Sequence, residues 1–326
     1  MRTRPAAERG VALLTVLLLV AVLATLAAVV LDDIRFGLRR TANAQAVGQA
    51  RWYALGAEAL AREQVERLLR ASPERITAAG GWNGRAYSFP VEEGLIQTRI
   101  SDATACFNLN SVVQGVGEQL SARPAGAEQF RALLEALRFA PRDAEMLAAA
   151  LTDWIDSDAV REAGGAEDAA YLDGEAGYRT GGTLLAEASE LRAIRGFTPE
   201  AYARMRPWVC TLPTTDLSPV NVNTLTPEQG VLITMLTKGA LSPSAGARLI
   251  EGRPAEGWTQ TSFWQEPAMR EHIPLDGELQ VSARPRFFAL QTQVDYLDAE
   301  VVASGLFEVE TSGQVRLTAR RWTYDE

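Results

Sequence analysis

Residues 7–33 read "AERGVALLTVLLLVAVLATLAAVVLDD", and the fold turns on whether this stretch is discarded or kept. Arg9 and Gly10 stand directly before an apolar run, and no small-x-small cleavage site follows it, so a secretory signal fits poorly. From Val11 to Leu31 no charge occurs over about 21 residues, enough for a bilayer core that takes about 20. Arg2, Arg4 and Arg9 lie on the N-terminal side. Positive charge stays cytoplasmic, so the large C-terminal part is expected outside, which in a Gram-negative cell means the periplasm. No proline occurs between Pro5 and Pro73. The stretch "RRTANAQAVGQARWYALGAEALAREQVERLLR" that follows the apolar run is rich in good helix formers. Its apolar residues Trp52, Leu55, Ala59, Val65 and Leu69 recur near helical spacing and predict a packed face. One rod of about 60 residues is expected, about 90 Å at 1.5 Å per residue; an ordinary anchor with a separate helix after it is the alternative.

The 326 residues are 47% hydrophobic and 22% charged, enough for more than one core. A net charge of -9 argues against a nucleic-acid partner, whose phosphates an acidic body repels. The one histidine, His272, lies in "REHIPLDG", a surface turn by composition, which excludes His-cluster metal sites and leaves a poor base for a Ser-His-Asp triad. His272 is read as structural. No G-x-S-x-G, Walker A or G-x-G-x-x-G occurs, so no enzyme is expected. Two cysteines, Cys106 and Cys210, read as one bridge in an exported protein; two unrelated buried thiols are the other reading.

Beyond the rod, Tyr87, Phe89 and Val91 alternate, as do Ile96, Thr98 and Ile100, with Glu93-Gly94 between them as a hairpin turn. Near the other end, "PRFFALQTQVDYLDAEVVASGLFEVETSGQVRLTARRW" alternates over three runs, with Ser312-Gly313 as a second turn. A sheet split in sequence implies a large insertion. Within it, "FNLNSVV" at Phe107–Val113 is similar to "VNVNTLT" at Val220–Thr226, and each precedes a helix, a break and another helix. Thr226-Pro227 is a good helix start. These units resemble the helix-hairpin-helix elements of SAM-like domains. Such elements often hold DNA through a glycine-rich hairpin, but the second turn, "TKGALSPS", offers only Gly239 and the chain's single lysine, Lys238.

"LTDWIDSDAVREAGGAEDAAYLDG" holds the densest carboxylates: Asp153, Asp156, Asp158, Glu162, Glu167, Asp168 and Asp173. With Asp156 as position one, Asp158 is third and Glu167 twelfth, the EF-hand spacing of a hard-cation site. Val160 and Arg161 at positions five and six depart from that motif. Asp153, Asp156, Asp158, Glu167 and Asp168 are the expected calcium ligands, for one or two ions. A solvated acidic loop is the plain alternative. A glycosidase pair needs an aromatic-lined cleft, and only Trp154 and Tyr171 are near.

A basic leader ending in Gly10, followed at once by an uncharged helix that continues as an amphipathic one, resembles type IV prepilins and type II secretion pseudopilins. The resemblance implies cleavage between Gly10 and Val11 by a prepilin peptidase, with methylation of the new amine. Pilins usually carry glutamate where this chain has Thr15. A carboxylate in lipid costs about 2.5–3.5 kcal/mol on insertion scales and is kept only where a neighbour's amine offsets it, so Thr15 suits a subunit with nobody above it. "CFNLNS", "LTDWIDSD", "SELR" and "VNVNT" are similar to the GspK type. That family implies calcium in the acidic region, no catalysis, and a place at the tip of the secretion pseudopilus, initiating its assembly. It implies minor pseudopilins of the I, J and H types and the major G type as partners. It also implies a single pass of the inner membrane with the N-terminus cytoplasmic.

The expected fold is α+β: a long N-terminal helix on an antiparallel pilin-like sheet, with a large all-α insertion. The expected divisions are a leader at 1–10, a transmembrane helix at 11–31 and its amphipathic continuation at 32–72. The body takes 73–106 and 275–326, and the inserted units 107–210 and 211–274. A membrane-anchored module that recognises secreted substrate is the alternative function.

Overall fold

Residues Ala6–Ala71 form one unbroken helix, α1, of 66 residues, about 99 Å long at 1.5 Å per residue. This computed structural model describes residues 6–172, 177–273 and 278–323. The first five leader residues, Asp173 of the acidic stretch and residues 274–277 after His272 lie outside them. Every large apolar side chain from Val11 through Leu38 is exposed, so nothing among the described residues packs on this half, which is long and apolar enough to cross a membrane. The helix stops two residues before Pro73, which cannot continue it.

The second half of α1 packs, but not on the face expected from Trp52, Leu55 and Ala59. The buried residues are Ala46, Ala50, Ala54, Ala57, Ala61, Val65 and Leu69, three or four apart, while Trp52 is 70% exposed. Of the expected set only Val65 and Leu69 are buried; Leu55 is half-buried and Ala59 exposed. The reason is steric. A row of methyl groups lets the helix lie close on a sheet, and larger apolar side chains there would hold the two apart.

The sheet has five strands in the order β1 (Ala86–Val91), β2 (Gly94–Asp102), β3 (Phe287–Tyr296), β4 (Ala299–Val309) and β5 (Val315–Arg321), each antiparallel to its neighbour. Ile96, Val294 and Val301 meet Ala50, Ala54 and Ala57; further along, Ile100, Phe288, Leu290 and Phe307 meet Ala61, Val65 and Leu69. The first turn sits one residue earlier than expected. Val91 pairs with Gly94, Glu93 takes the left-handed backbone at φ 58°, and Gly94 is a strand residue. A Cβ at Gly94 would lie 2.4 Å from the Asp295 carbonyl oxygen, so close strand approach requires glycine there. β1 is an edge strand carrying Pro90, which suits an unpaired edge; its Phe89 is exposed.

The insertion leaves after β2 and returns before β3. Its main helices are α2 (Pro124–Ala136), α3 (Pro141–Ile155), α4 (Ala169–Leu172), α5 (Pro199–Met205), α6 (Gly230–Leu236), α7 (Pro243–Glu251) and α8 (Gln260–Gln265). One apolar core runs through both expected units, from Phe107 to Val281, so they pack as one body. The repeat is visible in atoms. Asn108 Oδ1 accepts from the Asn110 N–H and Asn221 Oδ1 from the Asn223 N–H, at 3.2 and 3.1 Å. Asn110 Oδ1 then accepts from Leu185 N and Asn223 Oδ1 from Trp258 N, at 2.8 and 2.7 Å. The two helix breaks also match, with Arg138 at φ 67° and Lys238 at φ 49°. Thr226 caps a tight first turn at Pro227–Gln229 before α6 begins. Cys106 and Cys210 are bridged, with Cα atoms 5.8 Å apart.

Candidate functional site

α3 sets the acidic site. Asp153 lies in its last turn and Asp156 is its C-cap, three residues apart and so on one face. A helix C-terminus already carries partial negative charge, so carboxylates there have the wrong sign for the dipole. The loop that follows brings further negative charge. One oxygen each of Asp156, Asp158 and Glu167 come within 4.8 Å of one another. Asp153 lies behind them, fully buried, its Oδ1 accepting from the Glu162 N–H at 2.9 Å. Gly165 closes the loop over it: a Cβ there would stand 2.1 Å from Asp153 Oδ2.

Among the described residues, the buried oxygens Asp153 Oδ2, Asp156 Oδ1 and Glu167 Oε1 find no hydrogen-bond donor. Burial, then the charges of Asp158, Glu167 and Asp153, push the Asp156 carboxyl up to about 7. Burial also raises Asp153 and Glu167. Asp168 behaves differently. The Thr180 N–H and hydroxyl donate to its Oδ1 at 2.9 and 3.0 Å, Arg179 lies 3.8 Å from Oδ2, and the Thr180 N–H above all holds its carboxyl below the ordinary value. The structure therefore gathers Asp156, Asp158 and Glu167, with Asp153 adjoining, and turns Asp168 toward Thr180. An all-oxygen, anionic donor set with unpartnered buried oxygens fits a hard cation such as calcium. Trp154 and Tyr171 are buried, so they line no sugar cleft.

Other residues singled out in the sequence fall elsewhere. Thr15 donates its hydroxyl to the Ala12 carbonyl at 2.9 Å, within its own helix. Gly10 and Val11 are both helical residues of α1. Lys238 pairs with Glu128 at 2.8 Å, across the two repeated units. His272 is half-buried in the turn after α8.

Sequence reasoning missed Asp102. Its Oδ1 accepts from the Thr104 N–H and hydroxyl at 2.7 and 2.5 Å, and its Oδ2 from Asn221 Nδ2 and the Thr224 hydroxyl at 3.3 and 2.5 Å. Burial pushes this carboxyl up despite the four donors. It ties the end of β2 to the second Asn-x-Asn turn.

The family model of type II secretion system protein K matches in two parts, residues 105–214 and 220–282. Type II secretion system protein K of Pectobacterium carotovorum is 38% identical over 271 residues, spanning 82% of this chain and 81% of the relative. That of Klebsiella pneumoniae is 38% identical over 265 residues, with 81% of each covered, and that of Pseudomonas aeruginosa is 30% identical over 324 residues, covering 96% and 92%. A chain in the crystal structure of the GspK-GspI-GspJ complex from enterotoxigenic Escherichia coli superposes with a TM-score of 0.76 at 26% identity, covering 87% of this chain and 99% of that one.

Proposed function

Because the chain belongs to the type II secretion system protein K family, we propose that this minor pseudopilin sits at the tip of the pseudopilus and starts its assembly. The observation that carries the proposal is Thr15. Its hydroxyl is satisfied by Ala12 one turn back, so it needs no charged neighbour in the apolar segment. The bulk of the insertion supports the same placement, since a body of that size has no room to repeat within a packed shaft. The exposed apolar half of α1 supports a single inner-membrane pass, with the arginine-flanked end cytoplasmic. Cleavage between Gly10 and Val11 by the prepilin peptidase, with methylation of Val11, would free that end.

The partners are the I- and J-type minor pseudopilins, in keeping with the complex of the structural relative, with the H and G types below. The acidic site holds calcium through Asp156, Asp158 and Glu167, with Asp153 adjoining and Asp168 reached only if it leaves Thr180. A bound cation would satisfy the unpartnered oxygens and fix the loop after α3.

Gold labelling of assembled pseudopili through an epitope inserted at the exposed Ser312-Gly313 turn tests the placement. Label at one end of each filament is expected. Label spread along the shaft sinks the proposal, as does a functional protein in which Gly10 remains joined to Val11.

A further inference from the structure

We propose that the shallow depression walled by Arg161, Arg192 and Arg195 docks an acidic, extended segment of a partner protein. Arg161 comes from the loop after α3, and Arg192 and Arg195 from the turn before α5. All three are exposed and line one depression, with Tyr171, Tyr178 and Ile194 beside them. Nearby arginines are engaged: Arg179 with Asp168 at 3.8 Å and Arg321 with Glu187 at 2.8 Å. Among the described residues, Arg161, Arg192 and Arg195 have no carboxylate within 4.0 Å, though Arg161 also pulls on the buried Asp153 carboxyl. Three arginines lining one depression in a chain of net charge -9 run against its overall sign.

The backbone beside Arg192 and at Arg195 is held in advance of any ligand. The Tyr178 hydroxyl donates to the Ala193 carbonyl at 2.8 Å, and the Arg195 N–H donates to the Tyr171 hydroxyl at 3.2 Å. The two tyrosines pack on each other and on Trp154, with ring centres 5.3 to 6.0 Å apart. Pinning from both sides lowers the ordering cost that exposed arginines otherwise carry into binding. Guanidiniums favour carboxylates because a planar fork can meet two oxygens at once.

Arg161 and Arg195 also border a second hollow, lined by Met146, Leu147 and Phe139 and flanked by the carboxylates of Asp143 and Glu200, with Arg204 stacked over Phe139 at 4.7 Å. A segment crossing this shared rim would place carboxylates on the arginines and one apolar side chain beside Met146. Phospholipid of the anchoring membrane is the less favoured source of negative charge. The insertion joins the sheet at the end that packs on Leu69, about 57 Å along the helix from Leu31.

The test uses the full-length protein in detergent micelles and a fluorescein-labelled heptapeptide of six glutamates around one leucine. Fluorescence anisotropy should show binding that weakens with salt, and none for the lysine counterpart. The triple variant Arg161→Gln, Arg192→Gln, Arg195→Gln should lose affinity by about tenfold or more. A matched triple elsewhere, Arg62→Gln, Arg99→Gln, Arg248→Gln, should bind as the parent does. If the first triple melts early, Arg192→Lys with Arg195→Lys keeps the charge and should still weaken binding, because the fork is gone. Undiminished affinity in the arginine-patch variants, or an equal loss in the matched triple, overturns the proposal. So does displacement of the peptide by phosphatidylglycerol vesicles through the same three arginines.

Discussion

Asp156 is where charge, burial and fold conflict most sharply. In the folded chain its carboxyl stays protonated to about 7, against an ordinary value of 3.8. Between those values the unfolded chain binds fewer protons than the folded one, so calcium-free stability is full at the acid end and falls as pH rises from about 4 toward 7. Calcium should remove that fall by pairing with the ionised group. Thermal melts across this range, with calcium absent and in excess, are expected to diverge toward neutral pH; superimposable profiles would exclude the cation. Asp102 gives a second expectation. Asparagine has only one acceptor oxygen, so Asp102→Asn turns an amide N–H₂ toward a donor and should cost about 1–3 kcal/mol, read by chemical denaturation. The spacing of Asp156, Asp158 and Glu167 was legible because all three lie in one short loop. The diversion of Asp168 to Thr180 was not, because no spacing rule marks that pair, nor was Asp102, whose partners Asn221 and Thr224 come from a distant segment.

Within the elements, α1 shows which patterns can be read from sequence. Its length followed from the span free of proline, and its unpacked apolar half from the absence of charge. Its packed face did not follow, because the rule that large apolar residues mark the buried side fails where a helix lies close on a sheet. There alanine is the contact residue and Trp52 points away. Ala50 is fully buried against Ile96, Val294 and Val301, so Ala50→Leu should destabilise the body by about 1–3 kcal/mol through overpacking. Leu60→Ala, on the exposed side, should change the isolated protein by less than about 0.5 kcal/mol. Denaturation midpoints of the two variants compare them directly, and equal losses would contradict the helix orientation. The strands of the main sheet were legible from alternation, whereas the shift of the first turn to Glu92-Glu93 was set by how closely β3 approaches Gly94.

For the molecule as a whole, the disulfide closes a loop with a sequence separation of 104 residues around the first repeated unit. The chain-entropy model gives about 4.7 kcal/mol for a loop of about 100 residues. Cys106→Ser with Cys210→Ser should therefore lower unfolding free energy by several kcal/mol, about 2–5 by the usual range for such bridges. Equilibrium denaturation of the double variant beside the parent measures it, and a loss under about 1 kcal/mol would mean that the shared core alone holds the unit. The arrangement also has a modular consequence. Asp102 and Phe288 are direct partners in the β2–β3 ladder, so the chain departs and comes home through a single doorway. Head and stem meet at that doorway and through a few ties beside it, such as Asp102 with Asn221 and Arg321 with Glu187: a tight connector that also replaces those partners could leave the stem intact, and lineages could exchange one crown for another without redrawing the shaft beneath.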